Sequence, residues 1–138
     1  MYSVTKVIDF CYGHRILGHA GKCGHLHGHN GRVEVEVVAP ELDGLGMVCD
    51  FAEVKQIVGD WIETHLDHRM ILQETDPLLT WMQSHQEPVH LMDRPPTAEN
   101  IARAIYEAAR GAGFRVRAVR LWETPTAFAT YEPPSEEV

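Results

Sequence analysis

The residues with the most chemistry per position are Lys22-Cys23-Gly24-His25-Leu26-His27-Gly28-His29-Asn30, three histidines within five positions and a thiol just upstream. His27 and His29 stand two apart. On an extended backbone such residues point to the same side, so two imidazoles can meet one metal ion. Gly28 between them is read as letting the chain pass close to that ion. A two-histidine site needs another donor, and His14, at the end of the first strand-like stretch, is the nearest good one. Three imidazoles with one open position describe a catalytic zinc site better than a closed structural one. The plainer alternative is a chain with nine histidines in 138 residues that carries some of them for no such purpose. A lone His-x-His is weak; the combination with His14 and Cys23 points to metal.

Cys23 sits four residues before His27. Beside a divalent cation a thiol is favoured as thiolate. It then serves either as a fourth ligand, closing the site, or as a base and nucleophile beside an open position. Spacing leaves both readings open. Asp67-His68 follows the expected end of a helix. A carboxylate orients an imidazole, giving a proton-relay pair; the alternative is a surface histidine favoured by the helix dipole. Glu123 stands at a strand end, where a carboxylate can accept two hydrogen bonds from the amidine-like edge of a heterocycle, or simply face solvent.

The net charge of −8 argues against nucleic acid as the main partner, while leaving room for a small phosphorylated ligand held by a few local cations. No apolar run approaches bilayer length. The N-terminus lacks a signal-like apolar segment, which predicts a cytoplasmic protein. Three cysteines, Cys11, Cys23 and Cys49, do not suit a disulfide framework and are expected reduced. The length suits one domain over residues 1–132, followed by an acidic, loose tail over 133–138.

These side chains need positioning. Tyr2 to Phe10 alternates, with Val4, Ile8 and Phe10 on one face, and delivers His14. Leu17 to Asn30 reads as a glycine-rich loop. Gly31 to Val38 is the cleanest strand, Val33, Val35 and Val37 alternating with Arg32, Glu34 and Glu36. An antiparallel pairing of these two strands brings His14 near His27 and His29. Asp50 with Glu53 predicts a capped helix to about Leu66, with Val54, Ile57, Val58, Trp61 and Ile62 as its stripe. The irregular stretch from Gln73 to Pro96 holds a short helix after Asp76-Pro77 and an extended piece at Val89–Met92. His85 and His90 there are taken as non-ligands. Thr97 caps a helix with Ile101, Ala102, Ile105, Ala108 and Ala109 inward, stopping near Gly111 and Gly113. Phe114 to Glu123, with Phe114, Val116, Ala118 and Trp122 on one side, and Ala127 to Tyr131 close the chain as strands. The order strand, strand, helix, helix, strand, strand predicts an α+β domain with a four-stranded antiparallel sheet and two helices on one face. Its open edges invite self-association.

From Phe10 to Tyr131 the chain resembles the 6-pyruvoyl-tetrahydropterin synthase and 6-carboxytetrahydropterin synthase family. The signposts are His14, the run from Cys23 to His29, Cys49-Asp50-Phe51, Leu66-Asp67-His68, Pro96-Thr97-Ala98-Glu99-Asn100 and Glu123-Thr124. The resemblance implies the tunnelling fold, in which sheets join edge to edge and two trimeric rings commonly stack as a homo-hexamer. It implies zinc on His14, His27 and His29, Cys23 as proton-transfer residue, and Asp67 and His68 as a relay arriving from a neighbouring subunit. It implies that Glu123 anchors a pterin, helped by Thr97 and Glu99. Three residues between Cys23 and His27 resemble the bacterial carboxy-pterin enzymes; animal pyruvoyl enzymes carry a longer insert. The implied activity is a zinc-dependent lyase converting 7,8-dihydroneopterin triphosphate to 6-carboxy-5,6,7,8-tetrahydropterin, acetaldehyde and triphosphate, early in queuosine and deazapurine formation. Its rivals are a pyruvoyl-pterin synthase, a pterin side-chain aldolase, and a non-catalytic zinc- or pterin-binding oligomer. Arg15, Lys22 and Arg69 are the cations available for triphosphate. The chain departs from the family pattern at Arg69-Met70, in the longer 73–96 segment and at Trp122 before Glu123.

Overall fold

A computed structural model describes residues 1–135 of the chain. Two long strands, β1 (Tyr2–His14) and β2 (His27–Ala39), pair antiparallel over their whole length. Both are longer than the alternation suggests, because the glycine-rich loop ends at Leu26 and the histidines already lie in the strand. Helix α1 (Phe51–His65) follows, its Asp50 cap accepting from the Ala52 N–H at 2.8 Å. Next come β3 (Arg69–Gln73), α2 (Leu78–Ser84), β4 (Val89–Met92), α3 (Ala98–Gly111), β5 (Val116–Thr124) and β6 (Ala127–Tyr131).

The sheet has six strands in the order β4-β3-β1-β2-β5-β6. The expected antiparallel four, β1, β2, β5 and β6, are its larger part. The expectation of a purely antiparallel sheet is corrected by β3 and β4, which add in parallel beside β1. Strand β4 coincides with the extended piece read at Val89–Met92, whereas β3 alternates too briefly to announce a strand. Beside the two helices expected on one face, α2 is the short helix read after Asp76-Pro77. Helices α1 and α3 cover one face: Val54, Val58 and Ile62 from α1 and Ile101, Ala102, Ile105 and Ala109 from α3 meet Phe10, Val33, Val35, Val37 and Leu121. Ile57, expected in the stripe, is exposed, and Trp61 is only partly buried against the core. Tyr106, which was not expected inward, is buried, and Ala108 is half-buried.

Strand β5 contains two irregularities: Glu123 is an extra residue against β6, and a second lies against β2. Glu36 lies across from Ala118 and Val37 across from Val116, so Arg117 is an extra residue. The bulge reverses the alternation beyond it. Val119 and Leu121 turn into the core, while Trp122 falls opposite Arg32 on the sheet's other face. The expectation that Trp122 shares a side with Val116 is thereby corrected, and Glu123 is sent to the helix-bearing face.

Helix α2 begins after Asp76, whose carboxylate accepts from the Leu78 N–H at 2.8 Å. The same buried carboxylate takes the Arg15 guanidinium in a two-pronged ion pair, Nε at 2.9 Å. The 73–96 segment is thus tied to the end of β1. Pro133 is buried; of the tail expected over 133–138, residues 136–138 lie outside the described residues. Among the described residues no helix is long and apolar enough to cross a membrane.

Candidate metal centre

The β1–β2 register places His14 directly across from His27, and Tyr12 across from His29. Even-numbered positions of β1 and odd-numbered positions of β2 share the helix-bearing face. Three imidazoles therefore converge, their ring centroids 4.5 to 5.1 Å apart, each offering a nitrogen within 4.8 Å of the others. Gly28 lies between His27 and His29 but faces the other way. A Cβ there would meet the Tyr12 carbonyl oxygen at 3.1 Å, so its close approach is to β1 rather than to an ion.

Two of the rings are fixed from behind. His14 Nδ1–H donates to the Pro96 carbonyl at 2.6 Å, and His27 Nδ1–H to the His25 carbonyl at 2.7 Å. A carbonyl only accepts, so the proton is on Nδ1 and the Nε2 lone pair is free in the neutral ring. His14 is buried, and burial foremost, with its histidine neighbours, holds its pKa below the ordinary value against the pull of Pro96 and Glu123. Its Nε2 and that of His29 are buried and without a hydrogen-bond partner. Buried polar atoms without partners are costly. Two such lone pairs in a three-imidazole cluster are what a divalent ion such as zinc would satisfy, so the residues fit the group.

Glu123 stands beside the cluster, its oxygens 3.6 Å from His14 Nε2 and 3.8 Å from His29 Nε2. Tyr12 holds it in place, the hydroxyl donating at 3.0 Å. Burial first, then the charge and hydrogen bond of Glu123, raise the Tyr12 pKa well above its ordinary value, so it stays a donor. Sequence reasoning did not find Tyr12, whose aromatic ring in an alternating strand signals only core.

Cys23 lies in a single 3-10 turn, Lys22–Gly24, and is exposed. Ile16 N–H donates to the Cys23 carbonyl at 2.8 Å, which folds the loop back beside His14. Gly24 makes that turn possible: a Cβ there would lie 2.4 Å from the His19 carbonyl oxygen. A cavity of about 390 Å³ brings Cys23 together with His14, His19, Thr97, Glu99 and Glu123. Thr97 also caps α3, its hydroxyl accepting from the Asn100 N–H at 3.2 Å.

Asp67 and His68 are elsewhere. They follow α1 and meet the opposite face of β1, where Cys11 points. Asp67 Oδ1 accepts from the Cys11 N–H at 3.0 Å, and Oδ2 accepts from His68 Nδ1–H at 2.8 Å. Burial pushes the Asp67 carboxyl up, but the hydrogen bonds from Cys11 and the His68 ring outweigh it and hold the pKa below the usual range. His68 has a left-handed backbone, φ 58°, uncommon without glycine, and its N–H is tied to the Cys11 carbonyl at 2.8 Å. Backbone strain of this kind gathers at functional positions. His68 borders a cavity of about 810 Å³ with Cys11, Asn30, Arg32 and Trp122, and a second that reaches the edges of His27 and His29.

Of the cations available for triphosphate, Arg15 is engaged by Asp76 and Arg69 Nε donates to the Thr64 carbonyl at 3.1 Å. His85 stacks on Trp81, and His90 packs near His65 and Trp61, both away from the metal cluster.

A family model for 6-pyruvoyl tetrahydropterin synthase matches residues 3–134. Among curated relatives, the 6-carboxy-5,6,7,8-tetrahydropterin synthase of Rickettsia bellii is 36% identical, with 93% of this chain and 98% of that one covered. The enzyme of the same name from Haemophilus influenzae is 33% identical, with 96% and 99% covered. An uncharacterised protein from Wolinella succinogenes has a crystal structure that superposes with a TM-score of 0.80 at 27% identity, covering 96% of this chain and 98% of that one. The 6-pyruvoyl tetrahydropterin synthase of Caenorhabditis elegans superposes at 0.70 with 23% identity and 96% of each chain covered, a likeness of fold.

Proposed function

The chain belongs to the 6-pyruvoyl tetrahydropterin synthase family, and from that premise we propose that it is a zinc-dependent lyase. Its substrate is 7,8-dihydroneopterin triphosphate, and its products are 6-carboxy-5,6,7,8-tetrahydropterin, acetaldehyde and triphosphate, an early step toward queuosine and other deazapurines. The observation that carries this reading is the convergence of His14, His27 and His29, with two orphaned Nε2 atoms, on the same face as Glu123 and Cys23. The names of the curated relatives support the carboxy-pterin product over the pyruvoyl one.

His14, His27 and His29 would hold zinc through Nε2, and the ion would supply Lewis acidity at the substrate's side-chain hydroxyls. The other steps fall to the chain itself. Glu123, steadied by Tyr12, accepts the amidine-like edge of the pterin, and a carboxylate with one oxygen already bonded still has lone pairs for two more donors. Thr97 and Glu99 line the same cavity at the start of α3. Cys23 moves a proton on one side of the substrate's side chain. His68, oriented by Asp67, moves one on the other, and carbon–carbon cleavage follows a retro-aldol course. Lys22, exposed beside Cys23, is the cation for triphosphate, since Arg15 is already engaged.

Within one chain Cys23 and the Asp67–His68 pair occupy opposite faces of the sheet. This favours an assembly in which the relay comes from a neighbouring copy, and the open edges at β4 and β6 offer the pairing surfaces. A homo-hexamer with active sites at subunit interfaces is the form proposed.

The test is incubation with dihydroneopterin triphosphate, with zinc content measured alongside. Acetaldehyde and the carboxy-pterin are expected. Pyruvoyl-pterin would move the chain to the sister activity, and zinc held without turnover would make it a binding protein instead.

A further inference from the structure

We propose that His19 binds the phosphate end of the substrate: its Nε2–H donates to the triphosphate and makes the site prefer a phosphorylated pterin side chain to a free one. This rests on the pterin reading of the cavity around Glu123 and assigns the residue that selects for phosphate.

His19 stands on the loop that carries Cys23, and that loop is tightly braced. The His19 N–H donates to the Ile16 carbonyl at 3.2 Å, the Ile16 N–H to the Cys23 carbonyl at 2.8 Å, and the Gly24 N–H to the Gly21 carbonyl at 3.1 Å. The ring itself lies against Gly21, where a Cβ would come within 3.0 Å of His19 Cε1. Having no side chain, Gly21 lets the backbone pass that close to the imidazole.

The Gly21 N–H donates to His19 Nδ1 at 2.9 Å. A backbone N–H only donates, so Nδ1 carries the lone pair and the proton of the neutral ring is on Nε2. His14 and His27 are the reverse, with Nδ1–H on a carbonyl and Nε2 free for a metal. His19 is thus set up as a donor rather than a ligand. Among the described residues no acceptor takes its Nε2–H.

The cavity of about 390 Å³ divides its polar groups by what they accept or give. The carboxylates of Glu99 and Glu123 accept, which suits the N–H groups of a pterin ring. His14 apart, only His19 among the lining residues brings a side-chain nitrogen, and that nitrogen gives. A triphosphate is rich in acceptors and ends the substrate's side chain. With the ring on Glu123 and the side-chain hydroxyls at the imidazoles, it is the part of the substrate farthest from the anchor. His19 is exposed, whereas His14 is 3% accessible, so His19 lines the solvent side of the cavity, on the same loop as the exposed Lys22.

Binding of neopterin triphosphate and of neopterin to the zinc-loaded protein is measured by pterin fluorescence; these aromatic forms report binding without turnover. The parent should hold the triphosphate more tightly. Asparagine offers an acceptor near the place of Nδ1 and nothing at Nε2, so His19→Asn keeps the Gly21 bond and removes the donor. It should bind neopterin triphosphate about tenfold or more weakly and neopterin as the parent does. Glutamine places an amide N–H near Nε2, so His19→Gln should recover most of that loss. With dihydroneopterin triphosphate, His19→Asn should raise KM and leave kcat little changed. Zinc content equal to the parent's should report an intact fold in both variants. Triphosphate binding that survives His19→Asn but falls in His19→Gln makes the ring a brace for the loop and overturns the assignment. So does an equal loss for both pterins. A parent that binds neopterin and gains nothing from the triphosphate overturns it while leaving the pterin reading intact; a parent that binds neither overturns both.

Discussion

Two clusters of titratable side chains share β1, three residues apart, on opposite faces of the sheet. At the three-histidine cluster the His14 and His27 rings are steadied by backbone carbonyls, and His14 is buried and held neutral. At Cys11, Asp67 and His68 the ring is steadied by a carboxylate and stands in solvent. A carbonyl sets a tautomer without adding charge. A carboxylate also stabilises the ring's cation. The first arrangement suits a permanent ligand, the second a group that gains and loses a proton. The same side chain is given two roles by what stands behind it.

The comparison breaks most sharply at the metal face. His14→Ala or His29→Ala should empty the three-histidine site and lower turnover about a thousandfold or more, several kcal/mol of lost charge stabilisation; zinc content and turnover measured together check it. Cys23→Ala should keep that zinc and lose about a hundred- to ten-thousandfold in turnover. Zinc lost along with Cys23 would make the thiol a ligand and erase the distinction between holding and proton transfer.

On the open face, Asp67→Asn should keep the zinc of the three-histidine site and lower turnover about a hundredfold by releasing the His68 ring. The placement of the two faces is sharpened by mixing inactive Cys23→Ala chains with inactive His68→Ala chains and refolding them together. If the relay serves a neighbour, random pairing restores about a quarter of the sites. No recovery would place both groups in one chain's site.

The smallest effect on turnover belongs to Asp76→Asn, which strands Arg15. It should cost about 3 kcal/mol of stability, read by denaturant unfolding, with turnover little changed. The Arg15 hydrogen bond holds the Asp76 pKa below its ordinary value. That contribution is therefore complete above the unfolded carboxyl pKa and is lost as pH falls through the folded one. The stability gap between parent and variant should be full at neutral pH and close below about pH 4.

Much of this was legible in the chain. The spacing of His14, His27 and His29 anticipated their convergence, because period-two alternation and an antiparallel register are local rules. Capping by Asp50 and Thr97 was equally readable. The partners were not. Tyr12 under Glu123 and Cys11 beside His68 are non-local contacts, made by residues whose types also suit a plain core or surface. Strand β4 was read as an extended piece at Val89–Met92, but its place in the sheet was not, and β3 was missed, because both are parallel additions stabilised by neighbours rather than by pattern. Gly28 was read as making room for an ion, whereas the room it makes is for the adjacent strand.

One extra residue in β5, Arg117, sets the phase of everything after it. Remove it and the downstream side chains trade sides: the indole would be swung toward the imidazoles and the carboxylate out toward the far surface. The catalytic identity of this face is thus written partly as a count, a single unit of slack that leaves every donor's chemical nature untouched yet decides which of them the ion would meet.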